Sequence, residues 1–168
     1  GPRISPRFFA GWNYDVDLCE APDMLAKAYA DGVPMGADMP TAPSTDATPK
    51  FLVSATKDPA AAATPLQKLQ IVKGWIDTRG RAQEKVFDVQ CAGDVAPNAQ
   101  NRCPDNQAKV DLTTCQVSAN TSADELKTVW RDPEYKSGQS AFYYVRVMEN
   151  PSGRWSSWDA LRAGVAPR

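Results

Sequence analysis

The sequence contains no histidine. Histidine is the commonest metal ligand and the usual general base near neutral pH. Its absence excludes a Ser-His-Asp triad, a Cys-His dyad and any histidine-built metal site made from these residues alone. Carboxylate chemistry stays open. Long apolar runs are also missing: none approaches the roughly 20 residues of a membrane span. Nor is there an excess of positive charge. Nineteen Lys and Arg against 20 Asp and Glu leave a net charge of -1, so no global positive field recruits nucleic acid or an anionic membrane. Cysteine is sparse, with four in 168 residues, and no pair has the short spacing of a zinc knuckle.

What is present suits one domain, or a domain with an irregular extension. The four cysteines, Cys19, Cys91, Cys103 and Cys115, are widely spaced and even in number. That favours disulfides and an oxidising compartment over free thiols in a reducing one. Cys91 and Cys103 flank a Gly/Pro/Asn-rich loop, Ala92 to Arg102. Of the three possible pairings, the one containing Cys91–Cys103 is therefore favoured, which leaves Cys19 with Cys115. There is no initiator Met, and Arg3-Ile4 runs directly into a strand-like segment. This start is expected of a chain continuing from something longer.

Ile4 to Trp12 reads as a strand broken by Pro6, and Pro22 to Ala30 as a short amphipathic helix stopped by Gly32. Val33 to Pro49 is irregular and too long for an ordinary turn, so it is expected to wrap the surface or line a site. Phe51 to Ala55 is a strand. Leu66 to Asp77 and Gln83 to Gln90 form a hairpin about the turn Asp77-Thr78-Arg79-Gly80. Lys109 to Cys115 reads as a further strand. Ser122-Ala123-Asp124-Glu125 has the form of a capping box, which predicts a short helix burying Leu126, Val129 and Trp130. Gln139 to Glu149 is apolar on both faces and is expected to be a central strand. Arg154 to Ala163 closes the chain, helical near its end. About six strands and two or three helices in antiparallel local order predict a mainly β, α+β, sandwich-like module.

Several segments then carry a resemblance. They are GPRISPRFFAGW, GVPMGADMP, PLQKLQIVKGWIDTRGRAQEKVFDV, VDLTTC, ADELKTVWRDPEY and AFYYVRVMENPSGRWSSWDALRAG. In this order they resemble the bacterial family DUF3604, a domain of unknown function, across nearly the whole chain. The family is similar to the PHP (polymerase and histidinol phosphatase) metallohydrolases, and more closely to their carbaryl-hydrolase-like branch. The resemblance implies that this chain is the C-terminal part of a periplasmic or secreted metal-dependent hydrolase. In such a parent a His-x-His motif and a divalent metal lie on an upstream segment. Residues 1–49 would end the catalytic-domain region and 50–168 would form the β-rich module. The implied partners are the N-terminal piece of the same protein and a small-molecule substrate. The resemblance also implies a cysteine before the Arg-Trp-Ser run, where this chain has Gly153.

Candidate site residues follow. Arg3 and Arg7 flank the first strand near Phe8, Phe9 and Trp12, where Arg3 could hold an anionic group bidentately. The plainer alternative is an ion-paired surface arginine. Asp38, in PMGADMP, could line a substrate mouth or simply form a turn. Trp12, Trp75, Trp130, Trp155 and Trp158 are read as core packing rather than a sugar platform. Arg146, within an apolar strand, is expected either to pair with Glu149 or Asp132 or to cover apolar surface with its stem. Asn120-Thr121-Ser122 is a formal glycosylation sequon that here precedes the predicted cap. No metal ligand or catalytic residue is expected in this chain.

Overall fold

A computed structural model describes residues 2–60, 63–93 and 95–166. Alternating apolar residues build two antiparallel sheets that face one another. The first contains β1 (Ser5–Gly11), β2 (Gly32–Pro34), β3 (Lys50–Thr56) and β8 (Glu125–Arg131), in the order β2-β1-β3-β8. The second contains β4 (Leu66–Ile76), β5 (Ala82–Cys91) and β9 (Ala141–Glu149), in the order β5-β4-β9. A small hairpin joins β6 (Lys109–Val110) to β7 (Val117–Ser118). The module is β-rich and antiparallel, and its sheets are not closed into a barrel.

Because strand side chains alternate, each sheet has two faces. The inner faces bury Phe8, Ala10, Phe51, Val53 and Leu126 against Leu69, Ile71, Phe87 and Val89. The outer face of the first sheet, through Phe9 and Leu52, packs on Tyr14, Leu18 and Ala28. Leu18 belongs to a 3-10 turn (Leu18–Glu20) and Ala28 to α1 (Met24–Ala30). Helix α1 is made of strong helix formers and carries an Asp23–Lys27 pair at 3.0 Å. Tyr14 anchors this layer. Its hydroxyl donates to the Ala28 carbonyl at 2.7 Å, and burial, reinforced by Asp31, pushes its pKa up to about 12.

The β4–β5 hairpin forms as expected. Gly80, at φ 76°, supplies the left-handed turn residue, and the Asp77 carboxylate accepts from the Arg79 and Arg81 amides. β1 runs through Pro6 instead of breaking there. β2 pairs only with Phe9–Gly11, so the flank of β1 at Pro6 is open and no ladder bond is lost on that side.

Several expectations about the elements are corrected. The predicted helix after Ser122 is strand β8, in register with β3 from Lys50↔Arg131 to Thr56↔Glu125. Leu126 and Trp130 lie four apart, which places them on one face of a strand as well as of a helix. Seven ladder pairs outweigh the local capping preference. Strand β9 is an edge of its sheet, with β4 at the centre. Its outward Phe142 and Met148 remain exposed while Tyr143, Val145 and Val147 meet the core. Of the segment Lys109 to Cys115, only Lys109–Val110 is strand. The closing helix α2 (Trp155–Arg162) buries Ser157 and leaves Trp155 76% and Trp158 37% exposed, so the core reading fails for these two tryptophans.

The cysteines divide. Cys91 and Cys103 are bonded, with Cα atoms 5.6 Å apart, closing the loop as anticipated. The expected Cys19–Cys115 bond is not formed and both thiols are free, because the fold places Cys19 in the layer outside the first sheet and Cys115 against Gly153. Cys19 sits in the 3-10 turn beside Glu20, whereas Cys115 is buried against Gly153. A Cβ built on Gly153 would stand 2.9 Å from the Cys115 sulfur. The position where the resemblance implies a cysteine is thus the neighbour of Cys115.

The disulfide loop is held to the second sheet by Asp88. Burial opposes ionisation of this carboxylate. The Cys103 amide at 2.8 Å, Gln70 at 2.6 Å and Lys68 at 2.9 Å more than offset that and hold its pKa below the usual carboxylate range. Arg146 donates to Gln70 at 2.8 Å and not to Glu149 or Asp132. The register Gln70↔Arg146 puts the guanidinium across the sheet from that amide.

Candidate functional site

At one end of the sandwich four segments surround a cleft of about 400 Å³. Phe8, Ala10 and Phe51 of β1 and β3 form its inner side, with Trp12 just beyond β1. Val33 to Pro40, the start of the long irregular segment, forms a second side. Tyr135 and Gln139 of the β8–β9 connection, and Ala141 to Tyr143 of β9, complete it. The segment expected to be irregular begins in β2 and lines this cleft through Val33 to Pro40.

Two groups of packed rings border the cleft. Phe8 stacks on Phe51 with centroids 5.6 Å apart, and Phe51 lies 4.5 Å from Tyr143. Trp12 and Tyr135 meet edge to face at 6.1 Å. The Trp12 indole N–H donates to the Pro40 carbonyl at 3.0 Å, fastening the ring to the 33–40 segment.

Beneath the cleft lies a buried polar cluster. Lys73 alternates in phase with Leu69 and Ile71, so β4 delivers an ammonium group into the interior. It donates to Asp132 at 2.6 Å and to the Glu134 carbonyl at 2.8 Å. Asp132 also accepts from the Tyr143 hydroxyl at 2.7 Å and from the Glu134 amide at 2.8 Å. Lys85 pairs with the Glu134 carboxylate from outside. Burial first, and the bond to Asp132 next, push the Tyr143 pKa well above its ordinary value. A phenol so held is no base near neutral pH, and the lysine is committed to its carboxylate. The cluster fixes the 132–139 connection and the Tyr143 ring, and so sets the shape of the cleft.

The structure places the three candidates differently. Asp38 is exposed and lines the cleft. Arg7 is exposed and shares the β1 face of Phe9, opposite to Phe8 and the cleft. Arg3 is exposed and outside the lining, with its backbone amide donating to Asp58 at 2.6 Å. Among the described residues no group of three His, Cys, Asp or Glu is arranged to hold a metal. Cys19 is a weak nucleophile, since burial and then Glu20 raise its pKa. The cleft thus offers binding chemistry: rings, one carboxylate, a phenol and an amide.

Tyr135, Gln139 and the Lys73–Asp132 pair were not singled out from sequence as site residues. One signal was available for Lys73. A lysine in the inward phase of an apolar strand requires a buried carboxylate partner.

Over residues 1–168 the sequence matches the family described as "Protein of unknown function (DUF3604)". The chain belongs to the DUF3604 family. No curated protein and no solved structure matches it. In this DUF3604 chain no helix among the described residues is long and apolar enough to cross a membrane.

Proposed function

We propose that this chain is the pocket-shaping part of a metal-dependent hydrolase related to the PHP metallohydrolases, with its cleft forming one wall of the substrate site. The observation that supports the reading is the chemistry of the cleft. It has aromatic walls around about 400 Å³, a carboxylate, and neither a nucleophile–base pair nor a basic side chain in its lining. A site of this volume and polarity suits a small organic molecule. The reaction is hydrolysis by a metal-activated water, with the divalent metal held by histidines on an N-terminal piece of the same protein. The lack of Lys and Arg in the lining favours an ester or amide over a phosphoester. The Cys91–Cys103 disulfide agrees with a periplasmic or secreted location.

The test begins with the gene and continues with the whole protein. An in-frame His-x-His segment is expected upstream. The full-length enzyme loaded with zinc or manganese should hydrolyse aryl esters or amides. Tyr135→Ala should raise KM about tenfold with kcat little changed, because it removes binding and not chemistry. A reading frame without that segment, or a KM indifferent to Tyr135, refutes the proposal. A second reading, a non-catalytic carbohydrate- or protein-binding module, is favoured by one feature: Trp12 and Tyr135 both line the cleft as ring surfaces. It prevails if the chain runs as a cooperatively unfolding monomer without a second polypeptide.

A further inference from the structure

We propose that the cleft selects an organic cation, an alkylammonium group, over neutral or anionic molecules of the same shape. The inference rests on the reading that the cleft takes a small molecule, and it names the class.

Asp38 is the only charged side chain among the residues that line the cleft. The six aromatic residues there are Phe8, Trp12, Phe51, Tyr135, Phe142 and Tyr143. Two of the three with polar handles have them committed within the protein. The Trp12 N–H is taken by the Pro40 carbonyl and the Tyr143 hydroxyl by Asp132. These side chains therefore offer ring surface and no donor to an occupant. Ring surface carries the negative part of the aromatic quadrupole and attracts a diffuse positive charge within about 6 Å of a centroid. An ammonium carrying alkyl groups presents such a charge on apolar surface, which also suits the neighbouring Met35, Met39 and Pro34. An anion would meet Asp38 and the ring faces without a cationic partner.

The nearest buried cation does not reverse this. Lys73 lies 5.8 Å from the Tyr143 centroid, but Asp132 neutralises it at 2.6 Å. Trp12 and Tyr135, meeting at 70°, supply two walls at an angle, the arrangement needed to enclose a rounded cationic head.

The experiment titrates the full-length protein that carries this chain with choline, with 3,3-dimethylbutanol (its uncharged carbon isostere) and with 3,3-dimethylbutanoate (its anionic counterpart), followed by tryptophan fluorescence and calorimetry. Choline should bind about tenfold tighter than 3,3-dimethylbutanol, and 3,3-dimethylbutanoate should not bind. Asp38→Asn should weaken choline about threefold. Asp38→Lys, at an exposed site that leaves the core untouched, should abolish the preference for choline. Trp12→Ala should weaken it tenfold or more, and Tyr135→Ala gives the same readout from an independent loop if Trp12→Ala unfolds. Equal binding of choline and 3,3-dimethylbutanol, unchanged in the Asp38 variants, overturns the cation inference and leaves the cleft standing as a ligand site. Failure of all three probes to bind also overturns it. The KM response of the full-length enzyme to Tyr135→Ala then judges the cleft separately.

Discussion

Substituting Gly153 with cysteine should install a disulfide to Cys115. A Cβ at residue 153 would sit 2.9 Å from the Cys115 sulfur and 3.1 Å from its Cβ. In a disulfide the Cβ atoms are usually about 3.5–4.5 Å apart, so a shift of a few tenths of an ångström suffices. Gly153 is not among the positive-φ glycines, so an L-residue is tolerated there. The new bond would close a loop of about 38 residues, for which chain-entropy arithmetic gives about 4 kcal/mol. Crowding against the Trp158 indole, 3.3 Å from the built Cβ, reduces the expected gain to about 2–3 kcal/mol. For a chain of this length that raises Tm by about 5–10 °C. Reduction should reverse the effect. The reduced variant should melt below the parent, because the unbonded thiol then presses on Cys115. The assay is thermal unfolding with and without reductant, paired with alkylation of the folded-then-denatured protein. The parent should show two alkylatable thiols, Cys19 and Cys115, and the oxidised variant only Cys19. Two alkylatable thiols besides Cys19 in the oxidised variant, or a Tm indifferent to reductant, would refute the placement of residues 150–154 against the β6–β7 hairpin.

Three further outcomes follow from the packing. Asp132→Asn should destabilise by about 3 kcal/mol, since it leaves the buried Lys73 ammonium without its countercharge. Adding Lys73→Met should recover at least about 1 kcal/mol of this in denaturant unfolding, and strict additivity would contradict the direct pairing. Gly32→Ala should cost about 1–3 kcal/mol, because its Cβ would fall 2.0 Å from the Tyr14 hydroxyl and 2.3 Å from the Ala10 carbonyl. A neutral result in the same assay counts against the Tyr14 anchor. Asp88 has a depressed folded pKa, so its contribution is complete above the unfolded value near about 4 and is lost as pH falls through the folded value. Asp88→Asn should accordingly flatten the acid limb of the stability curve, and an unchanged limb would exclude the Cys103–Gln70–Lys68 cradle.

The sequence by itself determined the features carried by local chemistry. The alternation of Lys85, Phe87 and Val89 with Glu84, Val86 and Asp88 and the Asp77–Gly80 turn specify the β4–β5 hairpin, because turn geometry and strand period act over a few residues. Two cysteines separated by 12 residues across a Gly/Pro/Asn-rich loop are close enough in chain to meet, and Cys91 and Cys103 do. The lack of histidine restricts the chemistry of these residues whatever their fold. Tertiary structure decided everything whose period or partner is ambiguous locally. Leu126 and Trp130 satisfy helix and strand alike, and only the ladder to β3 selects the strand. Gln139 to Glu149 has two apolar faces, yet its place at an edge depends on which strands pair. Lys73 and Asp132 lie 59 residues apart, and Cys115 meets Gly153 rather than Cys19. The cleft itself gathers β1, the 33–40 segment, the 132–139 connection and β9. Such meetings are settled by burial and pairing summed over the whole chain, to which no single segment's propensity contributes enough to be read alone.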